Sequence, residues 1–230
     1  MSAILEIKDL WGGYQEGVDI LRGISMEVRQ GEAVGIIGLN GSGKSTLGKA
    51  IMGMIPYRRG SIVFEGEDIT GLKTHELANL GISIMQQGGK VFPNISVWEN
   101  LQLAMQVNKS EFRIQNSELA EIIPLLRRPK RELQRLMADK LSGGQKHQLS
   151  LAMTLATHPN LVILDEPSAG LSPIAIEEIY TMLRKVRDNL GISIILIEQN
   201  VVKAVEFCET HVVLDNGLFV KKIVKKHETV

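Results

Sequence analysis

Strand-like and helix-like hydrophobic patterns alternate along most of the chain. Apolar and polar side chains alternate at 4–9 and 24–28, which is typical of half-buried strands. Short apolar runs predict further strands, at 33–37, 61–64, 82–85, 161–164, 193–197, 211–215 and 218–224. Apolar residues at helical spacing predict helices between them, at 47–54, 75–80, 173–186 and 201–208. Ser172-Pro173 is a helix start, and the apolar face expected in the core is formed by Ile176, Ile179, Tyr180, Leu183 and Val186. This alternation predicts a parallel α/β core with right-handed crossovers.

The pattern changes between residues 88 and 140, where helical spacing replaces strand signals. The apolar positions that show it are Val97, Leu101, Ala104, Leu119, Ile122, Ile123, Leu125 and Leu126. Ser96 and Glu99 have the spacing of a capping box, which predicts a helix start. We therefore predict one domain, residues 1–230, with a core formed by 1–87 and 141–230 and an inserted helical subdomain at 88–140.

A glycine-rich segment, GLNGSGKST at residues 38–46, joins the predicted strand 33–37 to the predicted helix 47–54. Glycines let backbone N–H groups converge on a polyphosphate, and the following helix directs its positive dipole end at the anion. A chance match is the alternative, but strand, turn and helix in this order argue against it. The predicted ATP-binding residues are Gly38, Asn40, Gly41, Ser42, Gly43, Lys44, Ser45 and Thr46, with Lys44 on the β- and γ-phosphates and Ser45 on Mg²⁺.

A second helix start with anion-binding character lies at Leu141-Ser142-Gly143-Gly144-Gln145. A serine followed by two glycines at a helix N-terminus leaves backbone N–H groups available to an anion. Two such helix ends rarely bind one phosphate.

Two adjacent carboxylates, Asp165 and Glu166, follow the buried strand 161–164. Ligands bind at the carboxyl ends of strands in open α/β sheets, and paired carboxylates there are costly unless metal or substrate uses them. We predict that one coordinates Mg²⁺ through water and that the other orients or deprotonates the attacking water.

The segment Trp11-Gly12-Gly13-Tyr14 is interpreted as a turn between the first two strands. Two interpretations of its aromatic residues stay open. They form a hydrophobic plug under a loop, or Tyr14 stacks on the nucleotide base, which needs little hydrogen bonding.

Composition excludes several classes of protein. The chain has 230 residues with 26 basic and 26 acidic side chains, so no global field favours nucleic acid. The basic cluster Arg127, Arg128, Lys130, Arg131 and Arg135 has acids nearby and no interleaved aromatics, which favours a solvated helix face. Lysines 221, 222, 225 and 226 favour a solvated terminal strand over contact with anionic lipid.

Location is predicted from three further observations. The apolar runs are far shorter than the roughly 20 residues that span a bilayer. Residues 1–10 alternate like a strand, so we expect no export signal. The single cysteine, Cys208, fits a reducing compartment and is expected in the core. We therefore expect a cytoplasmic protein.

Together, GLNGSGKST, a glutamine after a strand, LSGGQ and LVILDE resemble the nucleotide-binding subunits of ABC transporters over essentially the whole chain. The segments GGKVFPNISVWENL, EPSAGLSP and ILIEQN resemble, more narrowly, the ATPase subunits of branched-chain amino acid importers. Subunits that serve urea or short amides look alike. The resemblance implies a P-loop α/β fold with an antiparallel β subdomain and a helical subdomain.

The resemblance also implies a mechanism and partners. Two ATPase subunits pair head to tail, and each ATP lies between one phosphate loop and the partner's LSGGQ, here Leu141 to Gln145. Tyr14 would stack on the base, Gln87 would sense Mg²⁺ and the permease, and Ser142 with Gly144 would contact the partner's γ-phosphate. Asp165 would support Mg²⁺ and Glu166 would be the general base. Two permease subunits and, indirectly, a solute-binding protein would complete the complex at the cytoplasmic face of the membrane.

Two positions depart from the pattern of most of the family. Gln199 occupies the place of a switch histidine, and an amide cannot become cationic at the γ-phosphate. The loop after Glu166 lacks the aspartate commonly found there. Both departures resemble the importer subgroup, which implies a heterodimer with unequal sites; a homodimer is the alternative. Two other classes stay open: a soluble ABC ATPase acting on DNA or ribosomes, and an ATP-binding partner that hardly hydrolyses.

Overall fold

The computed structural model describes residues 2–106 and 118–224. Within these ranges the strands are β1 (Ala3–Gly13), β2 (Leu21–Arg29), β3 (Ala33–Ile37), β4 (Tyr57–Phe64), β5 (Glu67–Asp68), β6 (Ile82–Met85), β7 (Leu161–Asp165), β8 (Ser193–Glu198), β9 (Thr210–Asp215) and β10 (Leu218–Val224). The helices are α1 (Lys44–Ile51), α2 (Thr74–Asn79), α3 (Val97–Gln106), α4 (Glu118–Ile122), α5 (Lys130–Arg135), α6 (Gly143–Leu155), α7 (Pro173–Leu190) and α8 (Val201–Phe207).

The larger sheet has the strand order β10-β9-β3-β8-β7-β6. All neighbouring pairs run parallel except β10, which pairs antiparallel with β9 at the edge. Every residue of β3, β7 and β8 is buried, because helices cover one face of the sheet and α1 with the smaller sheet covers the other. Continuous apolar runs therefore form these strands, and the predicted parallel α/β core is confirmed.

Two hydrophobic cores lie on opposite faces of this sheet. Along β8, Ile194 and Leu196 belong to the core that also contains α6 and α7. Ile195 and Ile197 belong to the other core, which also contains α1 and the smaller sheet. Alternate side chains of one strand thus stabilise both layers, so only the strand ends are left for polar groups.

The smaller sheet is antiparallel and has the order β2-β1-β4-β5. The predicted turn at 11–14 is wrong, because β1 continues through Gly13 and pairs with β2 and β4. Gly12 is required by close packing: a Cβ there would lie 2.7 Å from the carbonyl oxygen of Tyr57. Pairing with two neighbouring strands outweighs the turn tendency of consecutive glycines, and only Tyr14 follows the strand.

The regular elements in the described parts of 88–140 are helical. They are α3, α4 and α5 with two 3-10 turns, Pro124–Arg127 and Ala138–Lys140. Ser96 and Glu99 form the predicted capping box: the Glu99 carboxylate accepts the Ser96 N–H at 2.7 Å, and the Ser96 hydroxyl accepts the Glu99 N–H at 3.2 Å. Apolar residues of α3 and α4 join the core around α6 and α7.

The basic residues of 127–135 and of β10 lie at the surface, as predicted. Lys130 lies 4.4 Å from the centre of the Trp98 ring, and Arg128 pairs with Glu132. Lys221 and Lys222 are exposed on β10, whereas Lys225 and Lys226 lie outside the described residues. Cys208 is buried, as expected. Among the helices of the described ranges, none has the length and hydropathy needed to cross a membrane.

Asn100 is the polar residue that orders the entry to α3. It is fully buried, and its side chain accepts the Phe92 N–H at 2.8 Å and donates to the Phe92 carbonyl at 3.0 Å. Asn100→Ala should lower the free energy of unfolding by about 1–3 kcal/mol, because it removes these bonds and leaves a small void. Urea unfolding measures this, with the exposed Asn79→Ala as the control. Equal losses for the two variants would contradict the structural role.

Candidate functional site

The phosphate loop, residues 38–46, connects β3 to α1, and two of its glycines are required by geometry. Gly43 precedes α1 with a φ of 104°, a left-handed conformation that side chains with a Cβ rarely adopt. A Cβ on Gly38 would lie 2.2 Å from the carbonyl oxygen of Leu214. Because Gly43 already reverses the chain, α1 begins at Lys44, three residues before the predicted start. The N–H groups of its first turn therefore border the loop.

Lys44 is buried against the loop that it follows. Its ammonium donates to the carbonyl oxygens of Gly38 at 2.8 Å and Leu39 at 2.9 Å. The Ser42 hydroxyl is also buried, and no other described residue hydrogen-bonds to it. The adjacent cleft is lined by Ile20, Asn40, Gly41, Gly43, Lys44, Ser45, Thr46 and Glu166. A cation, a hydroxyl without a partner and helix N–H groups around one cleft suit a polyphosphate.

Asp165 connects the end of β7 to the phosphate loop. The Ser45 hydroxyl donates to its carboxylate at 2.9 Å, and Asp165 is only 4% exposed. Burial raises the pKa of Asp165, and neighbouring Glu166 raises it further. The Ser45 hydrogen bond and the nearby lysines, Lys49 and Lys44, partly oppose this shift. A buried carboxylate with a raised pKa would be stabilised in its charged form by a cation.

Glu166 is held by two amides. Gln87 donates to one carboxylate oxygen at 2.7 Å, and Gln199 donates to the other at 2.6 Å. Gln87 follows β6, Glu166 follows β7 and Gln199 follows β8, three adjacent parallel strands. The register of the sheet therefore brings together three residues that are far apart in sequence.

The backbone of Glu166 is also constrained. Its φ is 48°, and its N–H donates to the carbonyl of Ile197 at 2.9 Å. A left-handed conformation at a residue with a Cβ is uncommon and is found mostly where the surrounding structure imposes it. Here it ends β7 with a sharp turn that places the side chain in the cleft beside Lys44.

The residues at this cleft fit Mg²⁺ better than a metal held by the protein alone. Mg²⁺ prefers oxygen ligands and is usually bound by one or two protein groups plus substrate phosphates. Ser45 and Asp165 supply such oxygens side by side. The described part of the chain has no cluster of three or more His, Cys, Asp and Glu side chains arranged to hold a metal.

The second helix start has the geometry of a capped N-terminus. Ser142 caps α6: its hydroxyl accepts the Gln145 N–H at 3.3 Å, and the Gln145 side chain accepts the Ser142 N–H at 3.1 Å. Ser142 and Gly143 are exposed. Cβ atoms on Gly143 and Gly144 would make only ordinary contacts within the subunit, with Leu171 and Ala175. In the described ranges, no hydrogen bond or ion pair joins Leu141 to Gln145 with the phosphate loop.

Tyr14 is on the surface, with 49% of its area exposed. The Lys49 ammonium lies 5.7 Å from its ring centre and 3.4 Å from its hydroxyl. Trp11 is more covered: its indole donates to Asp9 at 2.7 Å, and Arg59 lies 4.8 Å from its ring. A half-exposed ring is not a plug buried under a loop. Stacking of Tyr14 on a base stays a prediction.

Sequence reasoning missed one buried charged residue near the site. Glu198 is 2% exposed and hydrogen-bonds Tyr180, which the helical pattern assigned to the apolar face of α7. Tyr180 is fully buried, as that pattern predicts. Burial and then the neighbouring carboxylate raise the pKa of Tyr180, so its hydroxyl remains a donor. The available signal was a carboxylate ending an otherwise apolar strand.

Curated relatives share the sequence over nearly its whole length. It is 35% identical over 208 residues to the high-affinity branched-chain amino acid transport ATP-binding protein BraG of Pseudomonas aeruginosa, covering 90% of this chain and 87% of BraG. It is 35% identical over 215 residues to the probable branched-chain amino acid transport ATP-binding protein LivF of Archaeoglobus fulgidus, covering 93% and 89%. It is 31% identical over 219 residues to the lipopolysaccharide export system ATP-binding protein LptB of Escherichia coli K12, covering 94% and 88%.

A solved structure and a family pattern agree with these relatives. A nucleotide-free ATP-binding cassette from an ABC transporter superposes with a TM-score of 0.83 at 27% identity, covering 99% of this chain and 93% of that one. The pattern that defines the ABC transporter family matches residues 21–169. The chain therefore belongs to the ABC transporter family, as an ATP-binding and ATP-hydrolysing subunit.

Proposed function

We propose that the chain energises an ABC importer that takes up branched-chain amino acids or a related small polar solute through separate permease subunits. The main support for ATP hydrolysis is the position of Glu166. Two amides hold its carboxylate beside Lys44 and the Ser45–Asp165 pair. The solute class is supported by the names of two relatives, BraG and LivF. The similarity to LptB favours export as a second candidate. Urea and short amides are alternative solutes.

In the proposed reaction Glu166 is the general base, which accepts a proton from the water that attacks the γ-phosphate. Two neutral amide donors, from Gln87 and Gln199, orient the carboxylate through one hydrogen bond to each of its oxygens. Lys44 exchanges the carbonyls of Gly38 and Leu39 for the β- and γ-phosphates. The rest of the phosphate loop provides N–H donors, and Tyr14 stacks on the base.

We assign the magnesium site to Ser45, Asp165 and Gln87. Ser45 and Asp165 are already in contact, and the Gln87 carbonyl supplies a further oxygen when its amide leaves Glu166. Bound Mg²⁺ would neutralise charge on the phosphates. Metal binding by Gln87 would then release the Glu166 carboxylate from one of its two hydrogen bonds.

A second ATPase subunit completes each site in this proposal. Ser142, Gly143 and Gly144 form an exposed helix start that is not joined to this subunit's own phosphate loop by hydrogen bonds. A partner's phosphate loop would supply the anion for it, and this subunit would bind the partner's LSGGQ in return. Gln199 in place of histidine favours a heterodimer with unequal sites over a homodimer. Equal numbers of basic and acidic residues, 26 each, argue against nucleic acid as a partner.

The permease contact is proposed at a groove between the core and the helices of 88–140. Its apolar residues include Met52, Met54, Ile84, Ala104 and Met153, and the polar side chains of Gln86 and Lys90 also line it. A short permease helix with an apolar face fits such a groove. Since Gln86 precedes Gln87, docking there would move the amide that holds Glu166. We accordingly propose 88–140 as a subdomain that moves with the permeases at the cytoplasmic face of the membrane.

Glu166→Gln tests the general base. An amide cannot accept the proton, so we expect ATP hydrolysis to fall about 10²- to 10⁴-fold while ATP binding is kept. The fold should survive, because the side chains of Gln87 and Gln199 can rotate to present their oxygens. Phosphate release and nucleotide titration measure the two effects, with the exposed Glu178→Gln as the control. An unaltered hydrolysis rate would favour the non-hydrolysing partner instead.

Gln199→His tests the effect of the missing imidazole. A histidine can carry positive charge toward the developing negative charge of the transition state, so we expect the ATPase rate of the reconstituted complex to rise several-fold. Gln199→Asn keeps the amide but shortens its reach to Glu166, and its rate should fall. If Gln199→His leaves the rate unchanged, this side chain does not limit turnover.

Uptake tests the solute class. Cells whose copy of the protein carries Glu166→Gln should lose ATP-dependent uptake of radiolabelled leucine and valine and keep that of an unrelated sugar. Loss of urea uptake alone would move the assignment to the urea and amide alternative. Intact uptake of leucine, valine and urea would remove the importer assignment and favour the export candidate.

A further inference from the structure

Glu198 is a buried carboxylate outside the set of residues assigned above. It is the last residue of β8, one position before Gln199, and it is 2% exposed. No lysine, arginine or histidine within the described residues forms an ion pair with it; the charged pairs that do form involve other residues. A buried charge without a counter-ion is costly unless hydrogen bonds satisfy it.

Four donors satisfy this carboxylate. One oxygen accepts the Ser168 N–H at 3.2 Å and the Tyr180 hydroxyl at 3.2 Å. The other accepts the Gln199 N–H at 3.0 Å and the Asn200 N–H at 3.2 Å. Such bonds to an ionised acceptor are stronger than neutral ones.

The four donors come from three separate segments. Ser168 belongs to the loop at 167–172, which follows Glu166 and leads into α7. Tyr180 lies on α7, two turns into the helix. Gln199 and Asn200 form the turn between β8 and α8. One carboxylate therefore joins the backbone on both sides of the Gln199–Glu166 hydrogen bond.

Capping of α8 does not explain this arrangement. Asn200 is the N-cap of α8, and its own side chain accepts the Lys203 N–H at 3.2 Å. The helix start is thus satisfied without Glu198, whereas the Ser168 and Tyr180 bonds point away from α8 to the 167–172 loop and α7.

We propose that Glu198 is a positioning residue for hydrolysis, which fixes the 167–172 loop and the Gln199 turn relative to each other so that the Gln199 amide meets Glu166. This inference rests on the proposed role of Glu166 as general base. Glu198 contacts no reacting atom. It acts by holding the Gln199 backbone, from which the side chain reaches the Glu166 oxygen at 2.6 Å.

Replacement by glutamine removes the acceptor character of one of the two oxygens. In Glu198→Gln an NH₂ group faces backbone N–H groups or the Tyr180 hydroxyl, so one side of the junction is lost while the size is kept. We expect kcat for ATP to fall about tenfold or more, with little change in the ATP dissociation constant, because the phosphate loop is untouched. Tyr180→Phe removes a single donor and keeps the ring packing with Phe207. It should lower kcat about 2- to 10-fold.

A double-mutant cycle with Gln199→Ala distinguishes an effect through the Gln199 side chain from a general structural effect. If Glu198 acts through the Gln199 side chain, adding Glu198→Gln to Gln199→Ala should cause no further loss of kcat. The exposed Glu27→Gln, which makes the same chemical change on β2, should leave kcat unchanged in both backgrounds. Circular dichroism and thermal unfolding confirm that the compared variants are folded.

Each outcome decides the proposal. A non-additive loss supports it, whereas independent losses that multiply, or wild-type kcat in Glu198→Gln, overturn it. If Glu198→Gln does not fold, the same cycle is made with Tyr180→Phe and judged by the same criterion. An unaltered rate in Glu166→Gln would refute the general base separately, whatever the cycle gives.

Discussion

The position of one carboxylate depends on the burial of the whole parallel sheet. Glu166 stands at the end of β7, between Gln87 after β6 and Gln199 after β8. Because both faces of β7 and β8 are covered, polar groups are tolerated only where these strands end. Hydrophobic burial thus confines polar side chains to the strand ends, and the strand order brings two amides to the oxygens of Glu166.

At the same edge of the sheet, two buried carboxylates lie near a lysine that pairs with neither of them. Asp165 and Glu166 are adjacent carboxylates at 4% and 7% exposure, and burial raises the pKa of Asp165. Lys44 has satisfied its ammonium with carbonyls of its own loop and not with either carboxylate. A nucleotide with its metal would supply cation to the carboxylates and anion to the lysine in one step. Nucleotide binding would thereby be linked to assembly of the proposed catalytic arrangement.

Much of this was predictable from the sequence, and the exceptions have physical causes. Local patterns sufficed for the buried strands, the phosphate loop and the capped start of α7 at Ser172, whose hydroxyl accepts the Ala175 N–H. The segment around Gly12 was misread, because pairing with β2 and β4 is a tertiary effect that local turn tendency does not contain.

Contacts between distant side chains were also beyond local patterns. The hold of Gln87 and Gln199 on Glu166 needs the register of three strands. Tyr180 was counted as apolar, since helical spacing reports which face of a helix is buried and not what its hydroxyl meets. A role that follows from a local motif can be predicted from the sequence. A role that depends on contacts between several distant elements cannot.

We propose that this subunit couples ATP hydrolysis to transport as one of two ATPases docked on permeases. The most direct test is mass spectrometry of what co-purifies with tagged Glu166→Gln protein from solubilised membranes in Mg-ATP. We expect two polytopic permeases and a second ATPase with its own phosphate loop and LSGGQ. Recovery of soluble partners alone, or of a homodimer without permeases, would contradict it.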